Sequence, residues 1–403
     1  MSEQPRAIFS PIFERIRAGA IERETLRQLP REEINWLSEA GFGRLRVPVS
    51  HGGFGLELRE FFDLLIELGA ADSNIVQALR GHIGFVEFVR THPDPLFREQ
   101  WFARLAAGAL VGNAESERTG TFAEQATRIQ KTTEGYSLTG TKYYTTGSIF
   151  ADWIHVSAVL SDDLGDKLVT VQVPSSDPGV VISDDWDGFG QRLTGSGTTT
   201  FTDVPVDFAQ ITHREAAAPN GSILHATYQL VHLAALAGIA VAALSDTVDF
   251  VRQRTRNLFN PQVPATGDPV ALQIIGEGQG SVLAVRSTVL AAAEALDTAS
   301  RAIESGRPTA SLVAAADGHV FAIQPHIIES VLRLTSQLFE VGGASAVSSA
   351  HALDRHWRNA RTISSHNPAE YRKQAVGEYV VNAVAPARFV ERLLTPVPAT
   401  SRG

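Results

Sequence analysis

The sequence predicts an α+β protein in which two helical regions flank one β region. Helical spacing of apolar residues runs from Arg6 to about Leu110 and returns from about Gly221 to the end. Between them, from Val111 to Thr212, short alternating runs are rich in Ser, Thr, Gly and Asp, as in half-buried strands. We therefore predict three domains: residues 1–112 (helical), 113–212 (β) and 213–403 (helical).

The N-terminal helices are predicted from charged faces that alternate with apolar positions. In residues 21–26 and 30–37, apolar residues stand three to five apart, and Pro30 suits a first helical turn. Glycines in residues 41–43 and 51–55 break the pattern. The first region is thus a set of short helices joined by glycine turns.

The other two regions follow from the period of their apolar residues. Strands are predicted over residues 136–140, 153–160, 167–173 and 195–201. Long helices are predicted over residues 236–254, 278–305 and 322–339, and glycines at 342–343 end the last one. The apolar run at residues 230–244 is too short to cross a bilayer and predicts a buried helix, so no membrane partner is expected.

Composition excludes several classes of function. The 403 residues carry 35 Lys plus Arg against 44 Asp plus Glu, a net charge of −9, which argues against nucleic acid as a partner. There is no cysteine, which removes disulfides, thiolate metal sites and cysteine nucleophiles. No signal peptide is visible, so we expect a cytoplasmic protein. The scattered histidines predict no metal site.

Common cofactor and catalytic motifs are absent. The G-x-G-x-x-G fingerprint is missing, so the chain shows no nicotinamide site of its own. Residues 135–142 imitate a phosphate loop but end Gly-Thr-Lys, which misplaces the lysine. Neither H-E-x-x-H nor G-x-S-x-G occurs.

Seven segments in order resemble those of the acyl-CoA dehydrogenase family. They are residues 29–42, 47–55 (VPVSHGGFG), 114–117 (AESE), 140–147 (GTKYYTTG), 190–205, 256–259 (RNLF) and 338–343 (LFEVGG). The resemblance implies a helical N-terminal domain, a middle β-barrel, a C-terminal four-helix bundle, a homotetramer and a bound flavin. It also implies a set of cofactor-binding residues: Asn113, Ser116, Tyr144, Thr145, Thr146, Arg256, Phe259, Gly342, Gly343 and His366.

Physical chemistry suits part of this set. Hydroxyl and backbone groups at Ser116, Thr145 and Thr146 can bond the polar edge of a flavin, and Arg256 offers a planar fork for phosphate. The alternative for the two threonines is ordinary filling of a β-strand. Arg355, Arg358 and Arg361 share one helical face, which indicates either subunit salt bridges or phosphate binding.

The position of the family's catalytic glutamate holds an amide. In residues 358–369 (RNARTISSHNPA) the counted position is Asn367, and an amide cannot act as a general base. The segment, with His366 before it, is similar to flavin-dependent monooxygenases of the dibenzothiophene type that share this fold. That similarity implies reduced FMN delivered by a separate NAD(P)H:flavin reductase and a C4a-(hydro)peroxide formed with O2. The expected substrate is a small, aromatic or organosulfur molecule.

The same resemblance implies four catalytic residues: His82, His366, Asn113 and Thr146. A histidine can exchange a proton near neutral pH. His82 can equally be a core histidine, and His366 can simply close a turn. Two rival functions remain. One is an FAD-dependent acyl-CoA dehydrogenase with a displaced base, although residues 221–256 hold no glutamate, only Asp246 and Asp249. The other is a flavin-binding protein without turnover.

Overall fold

The N-terminal region is helical, as predicted. The computed structural model describes residues 3–118, 125–162, 165–213, 222–254, 257 and 262–387. Its first helices are α1 (Glu3–Ala18), α2 (Ala20–Leu26), α3 (Arg31–Glu39), α4 (Leu58–Ala78), α5 (Arg80–Thr91) and α6 (Pro95–Ala106). The glycine-rich segments at residues 41–43 and 51–55 form turns between α3 and α4, where Gly41, Gly52 and Gly55 have positive φ.

The middle region is one mixed sheet. Its described strands are β1 (Val111–Ala114), β2 (Arg128–Thr132), β3 (Gly135–Lys142), β4 (Trp153–Asp162), β5 (Gly165–Pro174), β6 (Val180–Ile182), β7 (Thr199–Val206) and β8 (Thr212–His213). They pair in the order β6-β7-β3-β2-β4-β5-β8, and β1 pairs with β4. Because that path has two ends, the described strands do not form the closed barrel that the resemblance implies.

One predicted strand begins later than expected. The prediction began at Gly195, whereas β7 begins at Thr199. Gly195 has φ +59°, and the Gly197 carbonyl accepts a hydrogen bond from the Thr145 N–H at 3.0 Å. Residues 195–198 therefore form a loop over the end of β3 instead of extending the ladder.

The C-terminal helices are longer than the sequence pattern indicates. They are α7 (Leu224–Gln253), α8 (Pro269–Glu304), α9 (Ala310–Gly342), α10 (Asp354–Ser364) and α11 (Ala369–Asn382). The prediction missed the start of α7 because this helix is apolar on all sides and shows no polar face. By length and composition α7 could cross a membrane, but 78% of its apolar window is buried inside the fold, as expected of a core helix.

The two helical regions share one hydrophobic core. A single buried cluster contains Leu65 and Leu68 of α4 together with Leu230 and Leu236 of α7. Gly69 and Gly238 meet where these helices cross: a Cβ on Gly238 would lie 2.4 Å from the backbone of Gly69. Only glycine permits so close an approach, and it brings α4 and α7 into direct backbone contact.

A kink in α4 joins all three regions. Asp72 has φ −160° and ψ 108° inside the helix, and its carboxylate accepts a 3.0 Å hydrogen bond from buried Arg23. After the kink, Ser73 accepts a hydrogen bond from the Gln191 side chain at 2.9 Å. The Gln191 N–H donates to Asn359 of α10 at 2.6 Å. The segment before β7 is thereby fixed between α4 and α10.

Candidate active site

The start of α5, strand β1, the first half of α7 and the loop after α10 meet at one place, and we call this place the cleft. Two glycines of α5 permit this meeting. A Cβ on Gly81 would lie 2.6 Å from Oδ1 of Asn113, and a Cβ on Gly84 would lie 2.0 Å from the ring of Tyr228. Because Gly81 and Gly84 have no side chain, β1 and α7 can both approach α5 closely.

Two histidines pack against each other in this cleft. The rings of His232 and His366 have centroids 4.4 Å apart at an interplanar angle of 53°. His232 is 1% exposed, and neither of its ring nitrogens has a hydrogen-bond partner among the described residues. His366 is exposed, so it is the ring that faces the open cleft.

Both rings are neutral near pH 7. For His232, burial first and then the charge of Arg80 lower the pKa well below its usual value. Surrounding protein atoms and the charge of Arg80 also lower the pKa of His366. A neutral imidazole can accept a hydrogen bond at one nitrogen and donate one from the other, so His366 can hydrogen-bond a group bound in the cleft.

The loop that carries His366 is tethered by amides. Asn367 donates from Nδ2 to Oε1 of Gln229 at 2.8 Å, and its carbonyl accepts from Nε2 of Gln324 at 3.0 Å. Asn367, at the family's glutamate position, thus links the loop to α7 through a hydrogen bond. It is not placed as a base.

Arg80 supplies the positive charge of the cleft. Its Nε donates to the carbonyl of Tyr228 at 3.3 Å, and its guanidinium lies 4.8 Å from the centre of the Tyr228 ring. Within the described part of the chain, Arg80 forms no ion pair, although Glu115 attracts it at longer range. Its charge acts on both cleft histidines.

Asn113 lies on β1 beside Gly81, at the wall of the cleft. Its carbonyl accepts from the Ser148 hydroxyl at 3.1 Å, and the residue is 9% exposed. Its side-chain Oδ1 is buried beside Gly81 without a hydrogen-bond partner among the described residues. A buried carbonyl without a donor is costly, so a bound group that donates a hydrogen bond would fit here.

The two threonines have structural partners. Thr145 Oγ1 lies 3.0 Å from the Gly197 carbonyl and 2.7 Å from the Thr199 hydroxyl. Thr146 Oγ1 lies 2.7 Å from the Ser196 hydroxyl. Both threonines are buried and bond other residues of the sheet region, as the alternative of ordinary strand residues predicts. A flavin contact through these hydroxyls stays a prediction.

Aromatic surface is exposed beside the threonines. Tyr144 has φ +58° and is 49% exposed, with its ring edge-on to Trp186 at 6.1 Å. Phe189 and Trp357 stack at 6.1 Å and are also exposed. Flat apolar faces that are open to solvent suit a planar ring system such as a flavin.

His82 lies apart from the histidine pair in its contacts. Its Nε2 lies 2.7 Å from the Gly43 carbonyl, and its Nδ1 accepts from the Val111 N–H at 3.2 Å. Burial lowers its pKa, so the ring is neutral and both nitrogens are occupied. These contacts match the alternative in which His82 is a core histidine. Its ring links the turn at Gly43 to Val111 of β1. The predicted catalytic role has no free nitrogen to act through.

Three of the remaining predicted cofactor residues, Ser116, Gly342 and Gly343, belong to the described part of the chain. Arg256 and Phe259 are outside the described residues. Ser116 is exposed, and its carbonyl accepts from the Tyr143 N–H at 2.9 Å. Gly342 and Gly343 lie at the end of α9, where Arg254 donates to the neighbouring Val341 carbonyl at 2.7 Å. Arg254 and His232 are about 33 Å apart along α7, at ~1.5 Å per residue.

Four residues of the cleft were not assigned by sequence reasoning: Arg80, Tyr228, Gln229 and His232. His232 had a signal, since a histidine in an otherwise apolar helix needs a reason to be buried. The others had none, because their roles depend on which helices meet.

Comparisons with known proteins cover nearly the whole chain. Family models described as the N-terminal, middle and C-terminal domains of acyl-CoA dehydrogenase match residues 12–109, 112–204 and 230–371. The chain is 28% identical to dibenzothiophene monooxygenase of Rhodococcus erythropolis over 407 residues, covering 95% of this chain and 94% of that one. It is also 28% identical to the probable FMNH2-dependent monooxygenase SfnC of Pseudomonas putida, covering 91% and 92%.

A solved structure agrees. The complex of TdsC from Paenibacillus sp. A11-2 with FMN and indole superposes with a TM-score of 0.88 at 26% identity, covering 96% of this chain and all of that one. Together with the three matched domains, this shows that the chain belongs to the acyl-CoA dehydrogenase family. Within that family these relatives are flavin-dependent monooxygenases, which confirms the enzyme class predicted from the sequence. The FMN of the solved relative agrees with the predicted cofactor.

Proposed function

We propose that this protein is the oxygenating component of a two-component monooxygenase. It takes reduced FMN from a separate NAD(P)H:flavin reductase and inserts one atom of O2 into a small aromatic or organosulfur substrate. Substrate, O2 and reduced FMN yield oxygenated substrate, water and oxidised FMN, so atoms and electrons balance. The observation that carries the proposal is the loop after α10, where neutral His366 faces the cleft and Asn367 replaces a base.

The residues around the cleft fit a flavin. The exposed face of Tyr144, beside Trp186, suits the planar ring, and the unpartnered Oδ1 of Asn113 suits an N–H donor. Thr146 lies at the same edge of the sheet. When bound, the reduced flavin supplies the two electrons that activate O2. FAD is the alternative cofactor, and the described residues do not distinguish the two.

The protein's own contribution is positioning and proton exchange. His366 is neutral and exposed, so its ring can accept or deliver a proton at a group bound in the cleft. His232 packs behind it and keeps the ring in place. Asn367 fixes the loop through Gln229. These residues hold the proton donor at one point of the cleft wall, where an oxygen atom that leaves as water needs it.

The dehydrogenase alternative lacks a base in this arrangement. Asp246 of α7 is bonded to Arg355 at 2.5 Å and to His356 at 2.9 Å. Burial would raise the pKa of Asp246, but the hydrogen bonds and charges of these two residues outweigh it and hold the pKa well below its usual range. Asp246 is about 21 Å from His232 along α7, at ~1.5 Å per residue. It therefore serves an ion-pair network.

We also propose that the protein works as a homotetramer. Gly342 and Gly343 are too far along the bundle to reach the cleft of their own protomer, so their cofactor role requires a second copy. One outer face of α8 leaves Leu272 and Leu283 exposed, which suits a subunit contact. Light scattering should give a tetramer, and Leu283→Arg should shift it to smaller species. Cytoplasmic location stays a prediction.

The decisive experiment follows isotopic oxygen. The protein is mixed with FMN, an NADH:flavin reductase and 18O2, and a panel of dibenzothiophene, indole and benzenesulfinate is analysed by mass spectrometry. One labelled atom per product molecule is expected. His366→Ala should lose at least ~100-fold of the product yield and still bind FMN, because general acid–base groups contribute about that much. His326→Ala, at an exposed site on α9, is the matched control.

Two results would contradict the proposal. Bleaching of the oxidised flavin by an acyl-CoA, with no labelled product, would identify a dehydrogenase. Tight flavin binding with neither reaction would identify a non-catalytic flavin protein.

A further inference from the structure

One feature of the cleft is not used by the proposed chemistry. Arg80 is a cation at the cleft wall whose only described polar contact is the bond from Nε to the Tyr228 carbonyl. We propose that Arg80 binds an anionic oxyacid group of the substrate, a carboxylate, sulfinate or sulfonate. The inference rests on the proposed function, because it names the substrate class of the same cleft.

Arg80 has no acidic partner among the described residues. The two most buried arginines among the described residues are paired: Arg23 bonds Glu33 at 2.9 Å, and Arg46 bonds Glu87 at 2.7 Å. Arg80 forms no such pair within the described residues, and Glu115 only attracts it from a distance. A desolvated charge without a counter-ion is costly, so an unpaired guanidinium indicates that a ligand supplies the anion.

The second argument is geometry. Nε is held by Tyr228, and the ring of Tyr228 lies 4.8 Å from the guanidinium carbon. These contacts fix the plane of the guanidinium. Neither terminal nitrogen has a hydrogen-bond partner among the described residues. A planar fork fixed in this way matches two oxygens of a carboxylate or sulfinate.

The third argument is the charge of the surroundings. His232 and His366 are neutral, because desolvation by surrounding protein atoms and the charge of Arg80 lower the pKa of both rings. Burial also lowers the pKa of Arg80, but a guanidinium stays protonated in proteins. The histidines therefore do not compete for the anion, and they stand beside it as neutral hydrogen-bonding groups.

The test measures binding without turnover. Benzoate and benzenesulfinate are titrated against neutral benzamide by calorimetry, with FMN-loaded protein and with cofactor-free protein. The acids should bind at least tenfold more tightly than benzamide, which corresponds to about 1.4 kcal/mol. Arg80→Gln should abolish that preference, and Arg80→Lys should keep part of it. Arg307→Gln, at an exposed arginine, should not change it.

Several outcomes would overturn the inference. Equal affinity of wild-type protein for acid and amide would do so, as would an unchanged preference in Arg80→Gln. FMN phosphate is the other anion that Arg80 could hold. If Arg80→Gln weakens FMN but not riboflavin, the residue binds the cofactor and the inference fails. Labelled product in the isotope experiment would leave the proposed function intact in each of these cases.

Discussion

The same substitution at two buried histidines should change stability in opposite directions. His232 and His82 are both nearly inaccessible, at 1% and 4% exposure. The nitrogens of His232 lack partners among the described residues, whereas those of His82 bond the Gly43 carbonyl and the Val111 N–H. Leucine has a similar volume and no polar atom. His232→Leu therefore removes two buried nitrogens that lack partners, whereas His82→Leu removes two hydrogen bonds.

The magnitudes follow from those contacts. An unsatisfied buried donor or acceptor costs about 1–3 kcal/mol. His232→Leu relieves one donor and one acceptor, so we expect the free energy of unfolding to rise by about 2 kcal/mol. His82→Leu leaves a backbone carbonyl and a backbone N–H buried without partners, so we expect a fall of about 2–4 kcal/mol. The two variants should differ by roughly 4 kcal/mol or more.

The assay is urea unfolding of cofactor-free protein at pH 7.5, followed by circular dichroism, with a thermal melt beside it. For a chain of this length an entropy of ~2.1 cal/mol/K per residue gives roughly 1.2 °C per kcal/mol. His232→Leu should therefore melt about 2 °C higher and should lose oxygenation, since His366 loses its ring partner. The reasoning is refuted if His232→Leu destabilises the protein as much as His82→Leu does.

Three further predictions concern glycine packing, a buried carboxyl and the loop that carries His366. Gly84→Ala should cost about 2–3 kcal/mol in urea unfolding, because its Cβ would lie 2.0 Å from Tyr228, whereas Gly276→Ala, where a Cβ meets nothing within 4 Å, should gain about 0.5–1 kcal/mol. Burial raises the pKa of Asp317 to about 7, although the charge of Arg372 acts to lower it. Its folded pKa exceeds the unfolded value, so stability falls as pH rises between about 4 and 7; Asp317→Asn should match wild type at pH 4 and exceed it at pH 8 by up to about 4 kcal/mol in unfolding free energy. Asn367→Ala should lose about 1 kcal/mol of stability and a larger share of product yield.

Each of these has a clear contrary result. Equal effects of the two glycine substitutions would mean that Tyr228 yields easily. A pH profile that Asp317→Asn leaves unchanged would place the titration elsewhere. If Asn367→Ala kept full product yield, the tether to α7 would not position His366.

Much of the architecture could be predicted from the chain itself, and the errors have physical causes. The period of apolar residues located β3, β4 and β5, because alternation along half-buried strands is a local property. The same method placed helix from residue 230, six residues after α7 begins, because a helix buried on all sides has no polar face to mark its period. The shared core of α4 and α7 was not predicted, since it depends on which helices cross.

The candidate site divides in the same way. His366, Asn367 and Asn113 were assigned by resemblance to a family. Asn367 and the lack of glutamate in residues 221–256 argued against a dehydrogenase base. Thr145 and His82 were assigned to the cofactor or to catalysis by the same resemblance, yet their side chains bond their own protein. A motif identifies a position, and it does not say which atoms its side chain will meet.

The sequence by itself determined the α–β–α order, the family and the chemical class of the reaction, because these depend on residue types and their spacing. Only the tertiary structure decided which side chains form the cleft. His232 meets His366, and glycines on α5 let β1 and α7 approach the same helix. Arg80 has no acidic partner among the described residues. Residues far apart in the chain share a site only after the helices pack, and that packing depends on contacts that no local pattern records.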